Sequence, residues 1–152
     1  RTKQHHRDII ALLYKDQACV GLTNFDHTSL ANTFYYGHDT SINVFSLHWS
    51  SLGQASYVSA LTKLLADIPG EMCAKYEDVL LQVWLTAYHG TGAEKLELDK
   101  LLFHYRLARC VFASCVLDSM MPRSIFRNIV NCFGLVGSDY WNALDDFIKL
   151  KQ

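Results

Sequence analysis

Seven histidines and five cysteines are the chain's most versatile side chains, and a bound metal is the first chemistry they invite. His104, Cys110 and Cys115 fall in one stretch that reads as helix. His104 and Cys115 would share a face there, but roughly 16 Å of helix axis would separate them. Cys110 would lie about 120° round from Cys115. Zinc takes its ligands at about 2.0–2.3 Å, usually from close pairs such as C-x2-C or H-x3-H. No such Cys or His pair occurs, and His5 and His6 are merely adjacent near the start. The sequence therefore predicts no metal site and no cofactor.

Nucleophilic catalysis finds no better footing. No G-x-S-x-G elbow is present, and a Cys could meet a distant His only through the tertiary fold. Asp145 and Asp146 would point about 100° apart on a helix, poor geometry for shared acid–base work. Gly90-Thr91-Gly92 lacks the Lys-Ser/Thr close and the preceding strand of a phosphate loop, so it reads as a helix connector. The L-x-x-L-L stretches at Leu61–Leu65 and Leu98–Leu102 match a groove-docking pattern, yet each lies inside a longer apolar stripe that a bundle must bury. The expectation is a protein that is not an enzyme.

The basic residues carry more. Arg1, Lys3 and Arg7, with His5 and His6 beside them, form a cationic N-terminal arm over residues 1–7, expected to be flexible. Between Leu101 and Arg127, Arg106, Arg109, Arg123 and Arg127 stand against Asp118 alone, four minus one, or +3. Arg106 and Arg109 would share one helix edge, and Arg123 and Arg127 are a turn apart on the next. If those helices are antiparallel, the four line a strip able to grip phosphate or carboxylate. The alternative is that they solubilise the exposed edge of mostly buried helices. Tyr35 and Tyr36 close a short predicted helix and can serve an interface, where tyrosines bring area at low entropy cost.

The elements that would position these groups are helical almost throughout. Ile9, Ile10, Leu13 and Val20 mark a first stripe over residues 8–20. Thr28 or Ser29 can cap a short helix ending at Gly37, and Ser41 another carrying Ile42, Phe45, Trp49 and Leu52. Phe45, Leu47 and Trp49 also alternate as a strand would, but no second strand-like run is evident to pair with them. Tyr57 to Ile68 is amphipathic and stops at Pro69-Gly70. Met72, Tyr76, Val79, Leu80, Val83 and Trp84 read as the core face of the next helix. Residues 96–121 then run without Gly or Pro and are apolar on almost every side, the mark of a buried central helix. Pro122 suits the start of a helix ending at Gly134, and Ser138 can cap a last one. The fold class predicted is all-α: one irregular bundle of seven or eight helices about that central element, residues 8–152 forming a single domain.

Composition sets the outer limits. Half of the 152 residues are apolar, 19% are charged and two are Pro, which describes a packed domain. Fourteen basic against fifteen acidic residues leave a net charge of −1, unlike a dedicated nucleic-acid binder. An odd number of cysteines without framework spacing points to free thiols and an intracellular setting, cytoplasm or nucleus. Arg106, Arg109 and Asp118 interrupt the longest apolar runs, so no membrane span is predicted. A start at Arg1 without Met suggests a piece of a longer protein. The reading that follows is a noncatalytic helical interaction or assembly domain, an adaptor or scaffold of a larger intracellular or viral protein. Its partner would be another protein or another copy of itself. The alternative is a helical RNA- or DNA-binding domain using the arm and the arginine strip.

Overall fold

A computed structural model describes residues 2–24, 33–38, 41–46, 52–66, 68–92, 95–118 and 123–151. Helix α1 (Thr2–Lys15) leads through a 3₁₀ turn (Gln17–Cys19) into strand β1 (Val20–Asn24). Strands β2 (Thr33–His38), β3 (Ser41–Ser46) and β4 (Leu52–Ser56) follow, then α2 (Tyr57–Ala66), α3 (Gly70–Gly90), α4 (Leu98–Asp118) and α5 (Arg123–Leu150). The chain is mostly helical, as its periodicity predicts.

Helix α4 is the centre. It packs against each of the other four α-helices. Residues 107–111 are buried without interruption. Five successive residues cover more than one full turn, so every side of the helix is covered there. Ile9 and Leu13 from α1, Val58, Leu61 and Leu65 from α2, and Leu144 and Phe147 from α5 close round Leu101, Tyr105 and Leu107. Leu81 and Leu85 of α3 complete that core. Five of the six leucines of the L-x-x-L-L stretches belong to this packing: Leu61, Leu65 and Leu101 are buried, and Leu98 and Leu102 pack against the cluster. Among the described residues no helix is long and apolar enough to cross a membrane.

Three departures from the predicted bundle have local causes. The stretches expected to be short helices, one ending at Gly37 and one running from Ser41 through Leu52, contain strands instead. β2 and β3 pair antiparallel from Thr33↔Ser46 to His38↔Ser41, and β1 pairs with β4 from Val20↔Ser56 to Asn24↔Leu52. Thr33, Phe34, Tyr35 and Tyr36 are strong strand formers and supply the partner that Ile42, Val44 and Phe45 need. Trp49 and the Thr28 and Ser29 caps lie outside the described residues.

The first helix begins at Thr2 rather than Asp8 and ends at Lys15, because Asp16 caps the 3₁₀ turn, its carboxylate accepting from Ala18 N–H at 3.2 Å. Lys3 and Arg7, expected in a flexible arm, are therefore helical; Arg1 lies outside the described residues.

The two C-terminal helices are one. α5 runs through Gly134 and Gly137, since a helix tolerates an interior Gly at about 1 kcal/mol when its flanks are anchored. Cys132, Tyr140, Ala143 and Leu144 anchor both sides. Seven or eight helices thus become five α-helices and one 3₁₀ turn among the described residues, with two antiparallel strand pairs.

Candidate functional site

Helix α3 carries two apolar stripes. Cys73, Leu81 and Leu85 face inward with Glu77, while Trp84 and Tyr88 are half-buried. Met72, Tyr76, Val79 and Val83 face outward and are 53%, 42%, 55% and 63% exposed, with Leu80 beside them. At 100° per residue the two stripes lie about 150° apart round the helix. Of the stripe predicted to be the core face, only Trp84 packs against the core, and Met72, Tyr76, Val79, Leu80 and Val83 face solvent. Its residues match the same 3.6-residue period as the true core face, and period alone does not assign direction. The seam repeats at intervals of four, three and four residues, the alternation of fours and threes found along helix-pairing seams. Lys75 Nζ sits 5.0 Å from the Tyr76 ring centre and borders it with charge.

Directly beneath the seam, the inward face of α3 meets a polar cluster in the core. Glu77 Oε1 accepts hydrogen bonds from Tyr105 of α4 at 2.9 Å and Tyr140 of α5 at 2.7 Å. The Cys73 thiol donates to the same oxygen at 3.7 Å. Arg109 of α4, 2% exposed, reaches Cys73 Sγ at 3.7 Å and Thr62 O at 3.5 Å, while its Nε has no partner. Its guanidinium carbon lies about 6 Å from the Tyr105 and Tyr140 ring centres, within cation–π reach. Tyr140 has one hydroxyl hydrogen and Glu77 takes it, so Cys132, 3.2 Å away, donates its thiol hydrogen to the Tyr140 oxygen. Burial raises the pKa of Glu77 against the opposing pull of the Tyr140 hydrogen bond and the Arg109 charge. Burial also raises both tyrosines well above the ordinary phenol range. The cluster joins α3, α4 and α5 at one carboxylate.

The arginine strip is not assembled among the described side chains. Arg109 turns inward, bonding Thr62 O and Cys73 Sγ with its charge acting on the Glu77 carboxylate. Arg106 stays half-buried and pairs with Asp139 of α5 at 3.5 Å. Arg127 is exposed on α5, and Arg123 opens that helix. Lys3 and Arg7 stand exposed on α1. Tyr35 and Tyr36 lie on β2 opposite Val44 and Asn43, not at a helix end. Asp146, one of the adjacent carboxylates, is exposed and pairs with Lys149 at 3.0 Å. Gly92, with φ 75°, ends the turn after α3, where its N–H bonds His89 O at 3.2 Å, as a connector would.

Among the described residues, two groups of side chains could hold a metal ion. Cys73, Glu77 and Cys132 place their ligand atoms within 4.8 Å of one another, and so do Asp16, Cys19 and His104. In the second group Lys100 Nζ lies 2.7 Å from Asp16 Oδ2, with His104 Nε2 at 3.8 Å from the same oxygen. Burial pushes the Cys19 thiol up to about 11 and the His104 imidazole down, the latter against the attraction of Asp16. Sequence reasoning weighed only Cys and His spacings, so it passed over the D-x2-C pair that opens this group. Another apolar surface, a cleft of about 450 Å³, lies where Phe126, Val130, Phe133 and Trp141 of α5 meet α4 and the start of α1.

No protein-family model matches the chain, and neither the curated proteins nor the solved structures contain a significant match.

Proposed function

We propose that this chain is a noncatalytic helical module for protein–protein interaction or assembly, acting as an adaptor or scaffold domain inside a larger intracellular or viral protein. The observation that carries the reading is the outward seam of α3. Four large apolar side chains at 42–63% exposure leave apolar area in water along three turns of one helix. Covering such area returns about 25 cal/mol per Å². The 4-3-4 spacing favours a second helix laid along α3 over a flat or irregular partner. A second copy of the chain meets that requirement, because each copy offers the same seam. A net charge of −1 gives little repulsion between copies. A two-fold pairing of α3 with its counterpart is the assembly expected.

The test is sedimentation equilibrium of the chain and of a Val79→Asp, Val83→Lys double variant. Both positions are exposed, so the variant should keep its melting temperature within a few degrees. The parent should associate and the variant should be monomeric. A parent that stays monomeric at every concentration and shows no binding to amphipathic helical peptides would reject the reading.

A further inference from the structure

We propose that Asp16, Cys19 and His104 form a zinc site that ties the turn after α1 to the central helix α4. The site stands apart from the α3 seam and does not depend on the assembly reading.

Its geometry comes from two elements. Asp16 and Cys19 sit at the ends of the 3₁₀ turn, three positions apart, and His104 projects from α4. All three ligand atoms lie within 4.8 Å of one another. A tetrahedral zinc with bonds of about 2.0–2.3 Å places neighbouring ligand atoms roughly 3.3–3.8 Å apart, so only small side-chain adjustments are needed. A sulfur, a nitrogen and an oxygen donor together suit zinc or cobalt. Calcium and magnesium prefer oxygen alone.

A second observation points to a ligand. His104 is 4% exposed, yet its Nδ1 has no hydrogen-bond partner. Its Nε2 is 3.8 Å from Asp16 Oδ2, too long for a hydrogen bond. The Nε2 that faces Asp16 thus has no hydrogen bond in this pocket and is the nitrogen placed to bind an ion, with Nδ1 then carrying the ring hydrogen.

The surrounding groups hold the turn in place. Tyr88 of α3 donates to Ala18 O at 2.9 Å, and Ala18 N–H occupies Asp16 Oδ1. Asp16 Oδ2 is the oxygen left facing His104, where the Lys100 ammonium now sits at 2.7 Å. That position already attracts a cation, and Lys100, nearly half exposed, can give it up to an ion of higher charge. On metal binding Cys19 loses its thiol proton to solvent, its sulfur bonds the ion, and Asp16 and Cys19 together neutralise the two positive charges. A water molecule would complete the fourth position. The Cys73–Glu77–Cys132 group lacks these features: Glu77 is filled by three donors, and Arg109 stands 3.7 Å from Cys73 Sγ.

The test is a cobalt titration of the full chain after chelator treatment, followed by zinc competition. One equivalent of Co²⁺ should give tetrahedral visible bands and a near-ultraviolet thiolate band, both removed by Zn²⁺. Cys19→Ser should abolish the thiolate band, and His104→Gln and Asp16→Asn should weaken binding at least tenfold, about the smallest loss seen even for outer-shell changes. Cys132→Ser should leave the titration unchanged. Circular dichroism checks that each variant is folded. In the unmutated chain, Co²⁺ should broaden the His104 ring proton signals selectively, which needs no variant at all. No spectral change in the parent at millimolar cobalt overturns the proposal. So does a signal that survives Cys19→Ser and disappears in Cys132→Ser, or a His104 resonance indifferent to cobalt.

Discussion

Tyr140 donates its hydroxyl hydrogen to Glu77 Oε1 at 2.7 Å across 63 positions of the chain. That bond fastens α5 to α3 at the level where Tyr105 of α4 reaches the same oxygen. Three helices are thereby set in register by a single carboxylate, and the outward seam of α3 is held at a fixed rotation.

Tyr140→Phe keeps the ring and deletes the donor. A hydrogen bond to a charged group contributes about 1.5–3 kcal/mol, so urea denaturation should show a loss in that range. The Cys132 thiol loses its acceptor at the same time, which adds to the loss. Unchanged stability would mean that the bond is not made in solution.

Glu77 gives the chain a pH dependence of defined sign. Burial raises its folded pKa above the 4.5 of an ordinary glutamate. The folded state therefore holds the proton longer than the unfolded chain. The corresponding stability is fully present below about 4.5 and is lost as pH rises through the folded value. Glu77→Gln removes that titration while keeping an oxygen acceptor for both tyrosines. Denaturation curves of parent and variant from pH 4 upward should diverge, with the parent losing ground as pH rises. Parallel curves would place Glu77 in an environment like water.

Two glycines should respond in opposite directions to Ala. A Cβ on Gly70 would lie 2.6 Å from Asn128 O and 2.8 Å from Cys132 N, both backbone atoms of α5. Gly70→Ala must push α3 off α5 and should destabilise by about 1–3 kcal/mol. A Cβ on Gly134 meets nothing within 4 Å, and the residue lies inside α5. Gly134→Ala should stabilise by about 0.5–1 kcal/mol. Thermal melts of the two variants decide both.

The central helix was legible because its signal is one of composition. From Leu101 to Val116 it is apolar on almost every side, and a buried position suits such a segment. The stop of α2 ahead of Pro69-Gly70 was equally plain, since Pro disfavours helix in the residue before it. Strands β2 and β3 were missed because each is only six residues long. Ile42 and Phe45 fit a helical spacing as well as a strand. The single helix α5 was missed because Gly134 reads locally as a stop, whereas the contacts of Tyr140 and Leu144 carry the helix past it.

Periodicity is local, so the amino-acid order by itself determined a mostly helical chain, its central element and the apolar faces each helix could offer. It did not determine which face of α3 turns inward, because Met72, Tyr76, Val79 and Val83 compete for the core on nearly equal terms with Cys73, Leu81 and Leu85. Tertiary packing decided that, and with it the burial of Arg109 beside Glu77. It also brought Asp16 and Cys19 to His104. The physical reason is that a charged or metal-ligating group finds its partner through space, and the distances that matter are a few ångströms between residues far apart in the chain.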